Sequence, residues 1–317
     1  MKIEVIIPNY NGSDLIKKNL PKVLAAVDTR RDTVITIVDD GSRKEEQEVL
    51  STFIPEIRKT TKVKINLEIN EKNVGFSSNI NRAALKSTAD ILVLLNSDVS
   101  PQKDFLQPLL DHFTDEKVFG VGCMDKSIED DNTTVLRGRG LAKWHKGFLV
   151  HRKGEVDKDN TFWVSGGSCA VRADVFQKLD GLDPLYNPFY WEDIDISYRA
   201  QKAGYKLVFE SKSIVTHMHA KGAIKKHYRD NVIKAYAMRN QFTFIWKNIT
   251  DINLILSHLI RLPYYLLTSL LSKDTIFLKG FYLAIVRLPD IMRHRKKQKK
   301  LFVLSDREIL SNFRNDK

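Results

Sequence analysis

The sequence predicts an α/β fold built on a mainly parallel sheet. Apolar, β-branched runs alternate with helical patterns through the first half of the chain. Two of the buried runs end directly in acids, at Asp39-Asp40-Gly41-Ser42 and at Asn96-Ser97-Asp98. No repeat at solenoid period is visible.

The elements follow in order. Ile3–Pro8 (IEVIIP) reads as a buried strand and Asp14–Ala26 as an amphipathic helix. Thr33–Val38 (TVITIV) is a second strand, followed by a polar helical stretch from Lys44 to about Lys59. Val63–Ile69 alternates as a strand does, Ser78–Lys86 is helical, and Ile91–Leu95 (ILVLL) is a buried strand. From Met124 to about Asn160 the chain is polar and glycine-containing, which predicts mobile loops and short strands. Phe162–Arg172 (FWVSGGSCAVR) reads as a strand with a glycine pair, and Glu192–Ala203 as a helix stopped by Gly204. Tyr205–Glu210 and Ser213–His219 read as two more strands.

The 317 residues allow two domains, or one large α/β domain with an appendage. A hydrophobic share of 43% with 28% charged residues excludes disordered, collagen-like and disulfide-scaffold classes. Lys and Arg number 51 against 39 acids, and a net charge of +12 draws a protein to nucleic acid, phosphate-rich substrates or an acidic membrane surface. Cys123 and Cys169 lack metal-type spacing and predict a reducing compartment. The opening MKIEVIIPNYNG turns polar too soon for a secretory signal. Every long apolar run is interrupted by charge or proline, so no clean membrane-spanning helix is expected.

In a parallel sheet, Asp39, Asp40 and Asp98 gather at one edge, where open α/β sheets bind ligands. Carboxylates alone repel phosphates. They fit a nucleotide site if one bonds a base or ribose and another holds a cation that bridges to a diphosphate. Asp-Gly and Asn-Ser-Asp are also plain turn formers, but their pairing after two apolar strands favours function. Neither G-x-G-x-x-G nor G-x-x-x-x-G-K-[ST] occurs, which argues against dinucleotide-binding and P-loop folds.

With these residues in place, Lys2–Asn248 resembles the family 2 glycosyltransferases of GT-A fold. Ile3–Asn11, with Pro8, Asn9 and Tyr10, resembles the opening strand, and Val38–Ser42 (VDDGS) the nucleotide-binding motif. Asn73-Val74-Gly75-Phe76, with Asn81 beyond, resembles the donor-side loop and its helix. Asn96-Ser97-Asp98 stands where the family has a D-x-D metal motif, with Asn96 replacing its first aspartate. Trp191-Glu192-Asp193 resembles the acid segment, and His217 falls where several members carry a metal-binding histidine. The nearest subgroup is the bacterial rhamnosyl- and galactofuranosyltransferase-like enzymes of surface polysaccharide synthesis.

The resemblance implies an inverting transfer from a UDP- or dTDP-sugar to a glycan or lipid-linked saccharide. The resemblance also gives Asp193 the role of general base and makes Asp98 and His217 the expected ligands of Mg²⁺ or Mn²⁺. Asp195 takes the plainer role of pairing with Arg199 one turn on. Gly166-Gly167 underlies the acceptor, and Trp163, Trp191 and Glu192 are acceptor-side candidates; the tryptophans are also ordinary core residues.

The catalytic domain is expected over 1–248 and a helical, basic region over 249–317. Ile252–Leu271 and Thr275–Ile291 are apolar but carry Arg261, Pro263, Lys279, Arg287 and Pro289, and Arg293–Lys300 holds six Lys or Arg in eight residues. This reads as helices lying in a membrane interface, on the cytoplasmic face of the cell membrane, or as a hairpin packed on the catalytic domain or on a second subunit. Competing functions are a basic nucleic-acid-binding protein, disfavoured because no nucleic-acid motif accompanies the charge, an inactive glycosyltransferase-like scaffold, and a nucleotidyltransferase.

Overall fold

The computed structural model describes residues 1–27, 32–129, 131, 133–218 and 228–314. The chain begins β1 (Ile3–Asn9), α1 (Ser13–Val27), β2 (Thr33–Asp39), α2 (Lys44–Arg58), β3 (Lys64–Ile69), α3 (Phe76–Ala84) and β4 (Ile91–Leu95). These strands pair in parallel in the order β3-β2-β1-β4. Helices on both faces explain why β1 and β4 are apolar without alternation. On α1, Ile16, Leu20, Val23, Leu24 and Val27 face the core at helical spacing.

Beyond β4 the sheet is mixed. β5 (Val99–Pro101), α4 (Leu106–Asp111), β6 (Val118–Ile128), β7 (Thr134–Arg137), β8 (Gly140–His145), β9 (Phe148–Lys153) and β10 (Ser168–Arg172) follow. β10 lies antiparallel between β4 and β6, so the sheet continues β4-β10-β6-β11-β5. Only Ser168–Arg172 of the expected strand Phe162–Arg172 is strand; the glycine pair lies in the turn before it. The two strands expected around residues 205–219 are one, β11 (Lys206–Met218), with a register shift between Glu210 and Ile214. His219 lies outside the described residues. The segment read as loops and short strands holds the end of β6, the short strand β7 and a β8–β9 hairpin.

α5 (Ala173–Lys178) and α6 (Glu192–Lys202) precede β11, and α7 (Asp230–Asn248), α8 (Ile252–Leu271), α9 (Thr275–Val286), α10 (Leu288–Gln298) and α11 (Asp306–Ser311) follow it. The apolar stretch Thr275–Ile291 breaks between α9 and α10 because Pro289 is accommodated in the first turn of a new helix.

Residues 249–314 pack against the preceding part of the chain. One apolar cluster joins Leu141, Phe162, Trp191 and Ile194 to Phe242, Phe277, Ala284, Ile309 and Phe313. Asp306, fully buried, accepts from Lys202 Nζ at 2.8 Å and Tyr198 Oη at 2.6 Å, both on α6. Its other oxygen accepts the backbone N–H groups of Thr250 and Asp251. The basic run Arg293–Lys300 also divides. Arg295 turns inward to the carbonyls of Trp246, Lys247 and Ile249 that end α7, whereas Lys296, Lys299 and Lys300 are exposed.

Candidate active site

The ends of β1 and β4, the start of α3 and the start of α6 enclose a cavity of about 360 Å³. Pro8, Asn9, Tyr10, Asp40, Asn73, Gly75 and Phe76 form one part of its wall, and Asn96, Ser97, Asp98 and His217 another. Gly166, Gly167, Glu192 and Asp193 complete it on the side of α6.

Asp40 accepts the N–H groups of Val74 and Gly75 and the Asn70 amide at 2.9–3.0 Å. Three bonds leave a carboxylate one acceptor site for a ligand. Gly75 has φ 89°, and a Cβ there would lie 2.6 Å from the Asn187 side chain, so this turn requires glycine. Asn9 and Asn96 each line the cavity with a buried side-chain oxygen that lacks a protein partner. Gly167 sits against Asn96, where a Cβ would come within 2.6 Å of the amide nitrogen.

Asp39 does not reach the cavity. It is fully buried, and its oxygens accept the Asn9 amide at 2.7 Å, the Ser42 N–H at 2.9 Å and the Ser42 hydroxyl at 2.6 Å. The expectation that it bonds base or ribose is corrected: it braces the loop that presents Asp40. Asn81 also works behind the wall, bonded to the N–H and C=O of Leu182. Trp191 is buried against Phe244 and His151, and Trp163 packs over Gly140 and His151, so neither stacks on a ligand in the cavity. Phe189 and Tyr190 stand there instead, with Tyr228 from the start of the α7 segment.

Tyr190 and Trp191 have φ of 70° and 76°, a left-handed conformation that non-glycine residues hold only under constraint. Asn240, fully buried on α7, supplies it by donating to the carbonyls of Tyr186, Phe189 and Tyr190 at 2.8–3.2 Å. The turn delivers Glu192 and Asp193 to the first turn of α6, facing the cavity. Burial raises the pKa of Asp193, opposed by the N–H groups of Ile194 and Gly166 at 2.8 and 3.3 Å. Burial raises Glu192 well above its ordinary value, and the charge of Asp193 adds to this. One Glu192 oxygen is buried without a protein partner, so of the two acids Glu192 holds a proton the more readily.

Asp195 points away. Burial opposes its charge, but Arg199 and Lys247 outweigh that and hold its pKa low. Arg199 lies 2.7 Å from one oxygen; Tyr186, Asn248 and Lys247 engage the other. Lys247 continues to Asp183, which also meets His294 of α10 at 2.9 Å.

On the opposite wall, β5 pairs with β11 so that Val99 faces His217, which sets Asp98 beside the imidazole. His217 Nε2 lies 3.2 Å from Asp98 Oδ2, and Nδ1 lies 3.0 Å from Asp125 Oδ2. Burial pushes the His217 pKa down, but the bonds to Asp125 and Asp98 prevail and lift it to about 10. Neighbouring donors around a small octahedral cation stand roughly 3 Å apart, so Asp98 Oδ2 and His217 Nε2 fit one edge of such a site. Asp125 serves the far ring nitrogen, the usual carboxylate support for a ligating histidine. Among the described residues no three His, Cys, Asp or Glu converge on one point.

Sequence reasoning missed Asp125, Asn79, Ser165, Pro188, Phe189, Tyr190 and Tyr228. A lone acid inside the apolar strand VFGVGCMDKSI, and an aromatic run directly before Trp191-Glu192, were the available signals.

Known proteins are similar to this chain in sequence and in fold. The family model described as Glycosyl transferase family 2 matches residues 4–180. The O-antigen chain rhamnosyltransferase RfbN of Salmonella typhimurium is 26% identical over 226 residues, 69% of this chain and 67% of the relative. S. aureus TarS, solved with UDP-GlcNAc, superposes with a TM-score of 0.59 at 14% identity, over 99% of this chain and 92% of that one. The mannosyltransferase PcManGT of Pyrobaculum calidifontis, solved with GDP-Man and Mn²⁺, gives 0.57 at 14% identity, over 95% and 80%. The fold they share is the GT-A-like glycosyltransferase fold.

Proposed function

We propose, from the premise that the chain belongs to the family 2 glycosyltransferases, that it is an inverting enzyme acting in surface polysaccharide synthesis. It moves a hexosyl or deoxyhexosyl unit from a UDP- or dTDP-sugar to a hydroxyl of a glycan or lipid-linked saccharide, at the inner face of the cell membrane. The observation that carries the reading is one cavity with the Asp193 carboxyl group on one wall and the Asp98–His217 pair on another.

Asp40 and the cavity-lining asparagines take the nucleoside diphosphate, which places the anomeric carbon towards α6. Asp193 accepts the proton of the acceptor hydroxyl as its oxygen bonds to that carbon. The bond from the anomeric carbon to the diphosphate oxygen breaks on the opposite side, and the electron pair leaves with the nucleoside diphosphate. One displacement with one base inverts the anomeric centre. Glu192, protonated, donates to a substrate oxygen, and closure of the cavity by Phe189 and Tyr190 limits competing attack by water.

Asp98 and His217 would hold Mg²⁺ or Mn²⁺, which supplies screening of the charge on the departing diphosphate. Asp125 would keep the proton on Nδ1, and Nε2, now 3.2 Å from Asp98 Oδ2, would give up its proton to ligate. Asp125→Asn is expected to weaken Mn²⁺ binding about 10–100-fold, read both by calorimetry with the metal and by the Mn²⁺ dependence of activity. Unchanged affinity, or full activity of the native protein in excess chelator, removes the metal assignment.

A second prediction separates the paired aspartates. Asp40→Ala should weaken UDP or dTDP binding in calorimetry more than Asp39→Ala does, and it too should lower the melting temperature, since it strips the Asn70 amide and the Val74 and Gly75 N–H groups of their acceptor. Asp39→Ala should lower the melting temperature, because it strips Asn9 and Ser42 of their buried acceptor, a loss of about 1–3 kcal/mol. Equal nucleotide affinity in the native protein and Asp40→Ala would contradict this division. The experiment that tests the function as a whole is a screen of the purified protein against nucleotide sugars, read as nucleoside diphosphate release. Release from none of them, with acceptor saccharides present, overturns the reading.

A further inference from the structure

α8 is apolar on two opposite faces. The inward face, with Leu254, Ile255, Leu262, Tyr265 and Leu266, packs on the cluster beneath the β8–β9 hairpin. It is fastened by His258, whose ring meets Gly147 O at 2.7 Å and Trp246 Nε1 at 3.0 Å. The outward face carries Leu256, Leu259, Ile260, Tyr264, Leu267 and Leu271, and is open to solvent, with Ile260 at 75% and Leu271 at 77% exposure. At 100° per residue these six side chains span a stripe about 140° wide. A stripe of this size on a folded surface marks an interaction site.

The charges around it indicate what covers it. No acid occurs between Ile252 and Lys273, or between Thr275 and Pro289, and Asp274 spends its carboxylate capping α9. Arg261, Lys273 and Lys279 are exposed along the same helices. A second copy would bring the same cationic border and the same net charge of +12, so self-association through this face sets like charges together. An anionic lipid surface complements both features, with acyl chains for the stripe and headgroup phosphates for the border. Twenty residues give a helix about 30 Å long, enough to cross a bilayer. However, its inward face is fixed to a hairpin with exposed Lys143, His145 and Lys146, which holds it at the surface.

We propose that the outward face of α8 docks on an anionic membrane, with the helix lying in the interfacial plane and the exposed lysines and Arg261 on the headgroups. It rests on the glycosyltransferase reading only for its purpose, access to a lipid-linked acceptor. The test uses no nucleotide sugar, so its failure and the failure of that reading are separable.

The full-length protein is floated with phosphatidylcholine vesicles, with and without a third of phosphatidylglycerol, at low and high salt. Binding is expected to the anionic vesicles and to weaken with salt. Leu259→Glu/Ile260→Glu/Leu267→Glu should reduce it by at least ~tenfold with an unchanged melting temperature, because these side chains touch solvent rather than core. Should that variant fail to fold, Leu267→Cys carrying an environment-sensitive dye serves instead; Cys123 and Cys169 are buried and escape labelling. Its emission should shift to the blue on anionic vesicles. Equal binding by the triple variant, unshifted emission, or a native dimer that ignores vesicles and that the triple variant dissociates, overturns the proposal.

Discussion

Asp193→Asn should reduce the rate of sugar transfer by ~10²–10⁴, the usual worth of a positioned general base, while the affinity for the nucleoside diphosphate stays within a factor of about two. The amide keeps the size of the side chain but cannot take a proton. Glu192→Gln should be far milder, because Glu192 is held neutral by burial and by the charge of Asp193, and a glutamine imitates a neutral acid. The pH profile follows from the same pair. The base works as an anion and its pKa is raised by burial. The rate therefore rises with pH through a value above that of an ordinary aspartate, and falls as pH drops through it. Steady-state rates of the two variants, with the donor found by screening, decide the matter. A dead Glu192→Gln beside a nearly normal Asp193→Asn would reverse the assignment.

The largest loss of stability is expected from Asp306→Ala. It leaves the Lys202 ammonium, 1% exposed, with the Thr250 hydroxyl at 2.8 Å, the ring of Phe302 at 5.2 Å and the more distant charge of Glu308. It also removes the acceptor for the Tyr198 hydroxyl and for the N–H groups of Thr250 and Asp251. An uncompensated buried charge costs about 3–5 kcal/mol, a fall in melting temperature of roughly 5–15 °C for a chain of this size. Lys202→Met/Asp306→Leu should recover much of it, since the charge is then absent rather than stranded. Calorimetric melting of the three proteins checks this; a single variant that melts within about 2 °C of the native protein removes the buried pair as a fastening. Cutting the chain after Asn248 removes Asp306, His294 and Arg295 together. A separable catalytic domain, the natural expectation from composition, should therefore not fold as such.

The sequence alone determined the parallel half of the sheet, because local rules suffice there. β1, β2 and β4 are short apolar runs bounded by turn residues, and crossover helices between them leave parallel pairing as the natural arrangement. It also located the acids at the strand ends and at the start of α6, whose exits from the sheet and entry into a helix are marked in the chain itself. What it could not determine were contacts between residues far apart along the chain. Asp39 and Asp40 are adjacent and chemically identical. Only the positions of Asn9 and Ser42 turn the first inward, and only Val74 and Gly75 fix the second on the wall. Trp163 and Trp191 looked equally suited to a sugar and to a core, and the packing of β8, α6 and α7 around them decided for the core. Asp125 became a partner of His217 only through the pairing of β6 with β11. The last helices illustrate the limit most directly. Their apolar composition fits a membrane face and a packed face equally, and tertiary structure gave α8 one face packed on the core and one open to solvent, because burial of one side of a helix leaves the opposite side to meet whatever surrounds the protein.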